Sequence, residues 1–312
     1  MKLKYTLIFF VTLFVLTGCS KDEKLEEDVT TPPSQQEQSE EEIKNLPYTF
    51  PLTGIKTAEE PTSRPIAITI NNHPDARPQS GISKADIVYE MLVEGDATRY
   101  LAIFQSNIPE KIGPVRSARD YFIEIAKGLD SLYIAHGYSP EAHQMLNSGV
   151  VDHINGMQYD GIYFNRSANR KAPHNSYITA ENIALATQKL NISLENEKNV
   201  AYTFYADEDS VKMGSKANKI YMNYFSQNSS YSSIYSYDAE SKKYYKSSPQ
   251  SNTVDELVDE QVAISNVLFF ETRHKVIDTE GRRDITLTGG GIAYVFQHGQ
   301  MREVKWTNNN GL

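Results

Sequence analysis

The sequence predicts an α/β fold, with α+β as the alternative: an N-terminal domain with a mixed sheet, then a smaller, mostly antiparallel β domain. Two observations carry this. Apolar runs of strand character alternate with stretches of helical spacing as far as Leu190. Beyond about Asn191 the helical spacing stops, and short strand-like segments punctuated by glycines take over. The chain has 312 residues and is 39% hydrophobic, enough for about two domains held by apolar burial alone.

The first 19 residues form a targeting segment. Lys2 and Lys4 precede an apolar run from Thr6 to Leu16, which closes on Leu16-Thr17-Gly18-Cys19. A basic start, a short apolar core and small residues before a cysteine make a lipoprotein signal peptide. The run is short of the roughly 20 apolar residues a spanning helix needs. Cys19 is the only cysteine, so its expected role is lipidation. No thiol then remains for a disulfide, a cysteine nucleophile or a zinc-thiolate site. Residues 20–47 hold nine acids against three lysines and read as a disordered acidic tether. The expected location is the outer face of the cytoplasmic membrane, lipid-anchored. A net charge of -9 with no basic excess argues against a nucleic-acid partner.

Residues 48–195 form the expected α/β domain. Ile66–Ile70, Ile87–Val93, Tyr100–Phe104 and Leu132–Ala135 read as buried strands. Helices are expected over Arg116–Leu129, Ser139–Leu146 and Thr179–Leu190 from their apolar periodicity. Residues 196–312 form the expected β-rich domain. Tyr231–Tyr237 and Lys242–Tyr245 suggest a hairpin, and Val262–Phe270, Ile285–Leu287, Ile292–Phe296 and Met301–Trp306 are further strands. Gly289-Gly290-Gly291 and His298-Gly299 are expected turns. The last strand is expected to need a partner, which would leave this domain incomplete at its C-terminus.

Ligands gather at the carboxyl ends of strands in α/β sheets. Three such ends are polar: Asn71-Asn72-His73, the turn from Gly113 to Asp120, and His136-Gly137. In the second, Arg116 and Arg119 are expected in a first helical turn, where cations oppose the macrodipole. A bound phosphate or carboxylate would resolve that conflict. The alternative is an ion-pair stripe of Arg116, Asp120, Glu124 and Lys127. A second cationic cluster, Asn165 to Ser176, contains Arg166, Arg170, Lys171, His174 and Asn175. It is either an anion cradle facing the first cluster or a solvated loop balancing Asp152 and Asp160. His136, His143 and His153 match no metal-ligand spacing and read as structural. Glu94 belongs to a group of acids, with Asp86, Glu90 and Asp96, that could include a general base. No nucleophile elbow, phosphate loop or dinucleotide fingerprint is present, and no metal or cofactor is expected.

Taken together, the Cys19 motif, Arg64–Asn72, Ala85–Glu90, Thr98–Ile103, Gly113–Arg119 and Ala172–Asn175 resemble the YerB-type lipoproteins of Gram-positive bacteria, a family of unknown function. The resemblance spans nearly the whole chain. It implies an N-terminal α/β domain and a smaller β-rich one that usually continues past the tryptophan strand. In layout alone, Asp86 before a strand and Arg116 and Arg119 after one are similar to cell-wall-polymer ligases of the LytR-CpsA-Psr type.

Three functions are compatible with these residues. The leading one is a membrane-anchored protein binding an anionic wall polymer or lipid precursor through Arg99, Arg116, Arg119, Asp120, Arg166, Arg170, His174 and Asn175. The second is a phosphotransferase or hydrolase of polyprenyl-linked precursors, needing a divalent cation or a general base near the arginines, for which Asp86, Glu90, Asp96 and Asp120 are the available carboxylates. The third is an interaction module recruiting an envelope protein partner through the β-rich domain.

Overall fold

Strand β1 (Ile66–Asn71) is buried along its whole length, which explains why its sequence is apolar on both faces rather than alternating. It lies at the centre of a five-stranded mixed sheet with β2 (Ile87–Leu92), β3 (Thr98–Phe104), β5 (Leu132–Ala135) and β6 (His153–Asn155). The order is β2-β3-β1-β5-β6. β1 and β2 run antiparallel to β3, whereas β1-β5 and β5-β6 are parallel pairs. A computed structural model describes residues 43, 45–198, 200–205, 211, 213–225 and 228–309. The expected signal peptide, Cys19 and nearly all of the tether lie outside the described residues. Ile43–Leu312 forms one compact unit. No described helix is long and apolar enough to cross a membrane.

Helices cover both faces of this sheet. α1 (Asp120–Gly128) and α2 (Pro140–Asn147) bury Phe122, Ala126, Ala142 and Leu146 against Ala67, Leu101, Ile103 and Tyr133. On the other face α3 (Ala180–Leu190) packs Ile183 and Ala186 against Ile66, Ile68, Ala102 and Ile134. That face also carries a small sheet of β4 (Lys111–Ile112), β7 (Phe164–Arg166) and β8 (Ser176–Thr179), ordered β4-β8-β7. The helix starts follow local chemistry. Ser139 accepts from Ala142 N–H ahead of Pro140, and Thr179 accepts from Asn182 N–H. α3 stops at Asn191, whose φ of 54° suits asparagine as a left-handed cap.

The C-terminal part has two antiparallel four-stranded sheets. One joins β9 (Lys219–Met222), β10 (Ser233–Asp238), β11 (Lys243–Ser247) and β12 (Ala263–Ile264). The other joins Ser215–Lys216 to β15 (Gln300–Asn308), β14 (Gly289–Gln297) and β13 (Asn266–Phe270). Ile220, Tyr235 and Tyr244 of the first share a core with Val267 and Phe296 of the second. The fold class is therefore as the sequence predicts.

Several local expectations are corrected. α1 begins at Asp120, so neither Arg116 nor Arg119 lies in a helical turn; Arg119 is the extended residue before it. The expected strand 262–270 is two strands in different sheets, split between Ile264 and Asn266. Gly289-Gly290-Gly291 is strand rather than turn and pairs with Trp306–Asn308. A Cβ on Gly290 would come within 2.8 Å of the Trp306 carbonyl, so glycine is needed there for close approach rather than for turning. His298-Gly299 does turn, with both φ positive, as a two-residue hairpin requires. The last strand has partners on both sides, β14 and Ser215–Lys216.

The two parts are joined by buried polar contacts. Asp255, fully buried, accepts from the N–H groups of Gly81, Ser83 and Leu257 at 2.8–2.9 Å and from Ser83 Oγ at 2.7 Å. Lys246 on β11 reaches Glu90 on β2 at 3.4 Å.

Candidate functional site

Because β3 runs antiparallel to β1, the end of one and the start of the other share an edge of the main sheet. A cavity of about 180 Å³ lies there. Asn71 and His73 reach it from the end of β1, and Thr98 and Arg99 from the start of β3. Val93, Glu94 and Ala97 come from the β2-β3 turn, Arg116 from the segment before α1, His174 from the β7-β8 loop and Tyr231 from the C-terminal part.

The segment carrying Arg116 is extended because its backbone is used by neighbours. Arg116 N–H donates to Thr69 O, Ala118 N–H to Gly137 O, and His136 N–H to Arg116 O. Gly137, at φ +96°, allows this approach, since a Cβ there would sit 2.7 Å from Ser117 Oγ.

Three guanidinium groups and one carboxylate set the electrostatics. Arg99 and Arg119 are each 6% exposed and both pair with Glu94. Arg99 Nη2 lies 3.2 Å from Glu94 Oε2, and Arg119 Nη2 donates to Oε1. Arg99 also donates to Ser117 O at 2.8 Å, and Arg119 to Ala118 O. Burial alone would raise the Glu94 pKa, but the two guanidinium groups outweigh it and hold the carboxyl below its ordinary value. Glu94 is thus an anion at neutral pH.

Arg116 is different. Its side chain has no hydrogen-bond or ion-pair partner among the described residues, and its Nε is buried without one. The stripe with Asp120, Glu124 and Lys127 does not form. Burial and the charge of Arg119 lower the Arg116 pKa, yet a guanidinium stays protonated in proteins. A buried polar group with no partner asks for an explanation.

His174 Nδ1 lies 2.9 Å from Asn71 Nδ2, and its ring stacks on His73 at 4.5 Å between centroids. Burial, then His73 and Arg116, lower the His174 pKa, so the ring is neutral at pH 7. His73, Asp75 and His174 offer ligand atoms within 4.8 Å of one another, a set with metal-binding potential.

The remaining candidates sit elsewhere. Arg166 is exposed and holds Asp160 at 2.9 Å, Asn175 at 3.0 Å and His136 at 3.0 Å. Arg170 donates to Pro78 O at 2.6 Å and lies 3.6 Å from Glu256. Neither arginine lines the cavity, nor does Asn175, so of the second cluster only His174 joins the first. Asp120 stays at its helix start, where burial and then Glu141 and Asp284 raise its pKa. Of the acids, Asp86 accepts from Gln105 N–H, Ser106 N–H and Ser106 Oγ, Glu90 is paired with Lys246, and Asp96 is exposed on a turn. Only Glu94 reaches the cavity. His136 bonds Ser176 Oγ at 2.7 Å, and His143 stacks on Tyr138. Tyr231 carried no signal in the sequence, because its position depends on the C-terminal part folding over the first.

A family model described as the N-terminal domain of a protein of unknown function (DUF3048) matches residues 52–193, and its C-terminal counterpart matches 220–311. The candidate lipoprotein YerB of Bacillus subtilis (strain 168) is 43% identical over 262 residues, covering 84% of this chain and 78% of YerB. A crystal structure of the YerB protein from Bacillus subtilis superposes with a TM-score of 0.75 at 42% identity, covering 84% of this chain and 88% of that one. The cavity described above therefore lies within a family fold whose activity is unassigned: the chain belongs to the YerB-type (DUF3048) family of unknown function.

Proposed function

We propose that this protein is a lipoprotein anchored through Cys19 at the outer face of the cytoplasmic membrane. It binds an anionic cell-envelope ligand in the Arg116 cavity. The observation that carries the reading is the Arg116 guanidinium, which lines a cavity and has no protein partner among the described residues. Glu94 neutralises one of the two buried arginines beside it, so the cavity keeps an excess of positive charge. An anion meeting Arg116 would gain a charge-assisted, bidentate contact of the kind arginine favours. The acidic tether would hold the folded unit off the anionic bilayer.

The test is retention of the protein, from Ile43 onward, on purified sacculi, teichoic acids and polyprenyl phosphates. Arg116→Ala should weaken binding about tenfold or more, the order expected for losing a charged hydrogen bond. Arg166→Ala should change it by no more than about twofold, since its partners are Asp160, Asn175 and His136. Equal losses in both variants would show diffuse surface attraction, and indifference to Arg116 would remove the reading. The anchor is tested separately: Cys19→Ala is expected in the released fraction of lysed cells, and continued membrane association would refute lipidation as the tether.

A further inference from the structure

His73, Asp75 and His174 stand close enough to suggest a metal site, but their hydrogen bonds run in the opposite sense. Asn71 Oδ1 accepts the backbone N–H of His73 at 2.9 Å. A backbone N–H is always a donor, so this bond fixes which end of the Asn71 amide is oxygen. The other end, Nδ2, faces His174 Nδ1 at 2.9 Å. An NH₂ group donates, so Nδ1 of His174 carries the lone pair and its proton sits on Nε2. His73 repeats the pattern: its Nδ1 accepts the backbone N–H of Asp75 at 3.2 Å, while the Asp75 carboxylate stays 3.6 Å away, beyond hydrogen-bond reach. A histidine that binds metal through one nitrogen normally donates its other N–H to a carboxylate, carbonyl or water. Here both second nitrogens meet donors. Turning the Asn71 amide over to serve a metal-bound His174 would set its NH₂ against the His73 N–H.

The two rings therefore offer N–H groups, not lone pairs. Neither Nε2 has a protein partner among the described residues, and both rings line the cavity with Arg116. Donors come from three segments: the end of β1, the stretch before α1, and the β7-β8 loop. Glu94, the carboxylate on the same wall, is already held by Arg99 and Arg119. We infer that this cavity takes the terminal phosphoryl group of a phosphate ester without a metal ion, with Arg116, His174 and His73 each donating to its oxygens. A phosphate monoester presents three terminal oxygens in different directions, matching donors from three segments. A carboxylate offers two oxygens in one plane, which a single guanidinium satisfies. The inference rests on the anion-binding reading above and adds the ligand's chemical class and the proton position on each ring.

The experiment uses the Ile43–Leu312 unit labelled with ¹⁵N-histidine, titrated with inorganic phosphate, glycerol 3-phosphate, acetate and Zn²⁺. Two-bond ¹H–¹⁵N spectra report each tautomer without any ligand. The expected result is the Nε2–H form for His73 and His174, with glycerol 3-phosphate bound at least about tenfold more tightly than acetate. His174→Ala should lose about tenfold in phosphate affinity, and His174→Gln, which restores a donor near Nε2, should recover most of it. Melting curves of both variants establish that each is folded. An Nδ1–H tautomer at either ring overturns the inference. So does Zn²⁺ binding that His174→Ala abolishes, acetate bound as well as the phosphate ester, or phosphate binding that depends on Arg116 but not His174. Correct tautomers with no anion bound at all would instead overturn the anion-binding reading beneath it.

Discussion

Replacing Lys246 with methionine is expected to lower the unfolding free energy by about 3–5 kcal/mol, the range seen when a buried ion pair loses one member. Lys246 is 7% exposed. Its ammonium sits 3.4 Å from Glu90 Oε2, donates to Ser233 Oγ and lies over the Tyr235 ring at 5.1 Å. Glu90 also receives Asn72 Nδ2 at 3.2 Å and Thr98 Oγ1 at 3.0 Å. Without the lysine, the carboxylate keeps neutral donors but loses its counter-charge in a site closed to water. The double variant Glu90→Gln/Lys246→Met should recover a large part of the loss, because no uncompensated charge then remains.

The pH dependence has a definite sign. Burial alone would lower the Lys246 pKa, but Glu90, Tyr100 and Tyr235 outweigh it and raise it well above the ordinary 10.5. A folded-state pKa above the unfolded one contributes stability that is fully present below 10.5. That stability is lost only as pH climbs through the folded value. The deficit of Lys246→Met in urea titrations should thus be constant between pH 6 and 9. A deficit under about 1 kcal/mol would mean the pair behaves as a solvent-screened surface contact.

What the sequence revealed and what it hid divide by range. The strand Ile66–Ile70 is legible because burial on both faces leaves no polar alternation, and the helix 180–190 because Thr179 caps an unbroken apolar stripe. The same local periodicity places Arg116 and Arg119 in a helix that in the structure starts only at Asp120. Ala118 continues the helical spacing of Phe122, Ile125 and Ala126, yet its backbone is claimed by Gly137 across the sheet edge. Tertiary hydrogen bonds overrode a local period there. The Glu90–Lys246 pair is 156 residues apart in sequence, and no local pattern links them. For the site, polar strand ends located Asn71, His73 and the Arg116 turn. The Asn165–Ser176 cluster is one cationic run in sequence, whereas in the structure Arg166 and Arg170 serve neighbours and only His174 lines the cavity. Charge counting does not separate Arg166 and Arg170, which have partners, from Arg116, which has none among the described residues.

Glu94→Gln should separate stability from binding at the cavity itself. Glu94 compensates Arg99 and Arg119, both almost wholly buried, so neutralising it leaves two guanidinium groups facing each other. The expected cost is about 2–4 kcal/mol of unfolding free energy, below the full loss of a buried pair because the glutamine oxygen still accepts one hydrogen bond. The same change removes the negative charge nearest Arg116, so affinity for inorganic phosphate should rise about three- to tenfold while the protein melts earlier. The wild-type carboxyl has a folded pKa below its ordinary 4.5. Its contribution is therefore present above pH 4.5 and lost as pH falls through the folded value. Glu94→Gln should then match wild type more closely in acid than at neutral pH. A variant that is less stable and also binds phosphate less tightly would show that Glu94, by holding Arg99 and Arg119, chiefly keeps the wall beside Arg116 in shape for the ligand. A variant that binds more tightly would show that the cavity keeps its shape without the carboxylate and that the Glu94 charge opposes the anion at Arg116.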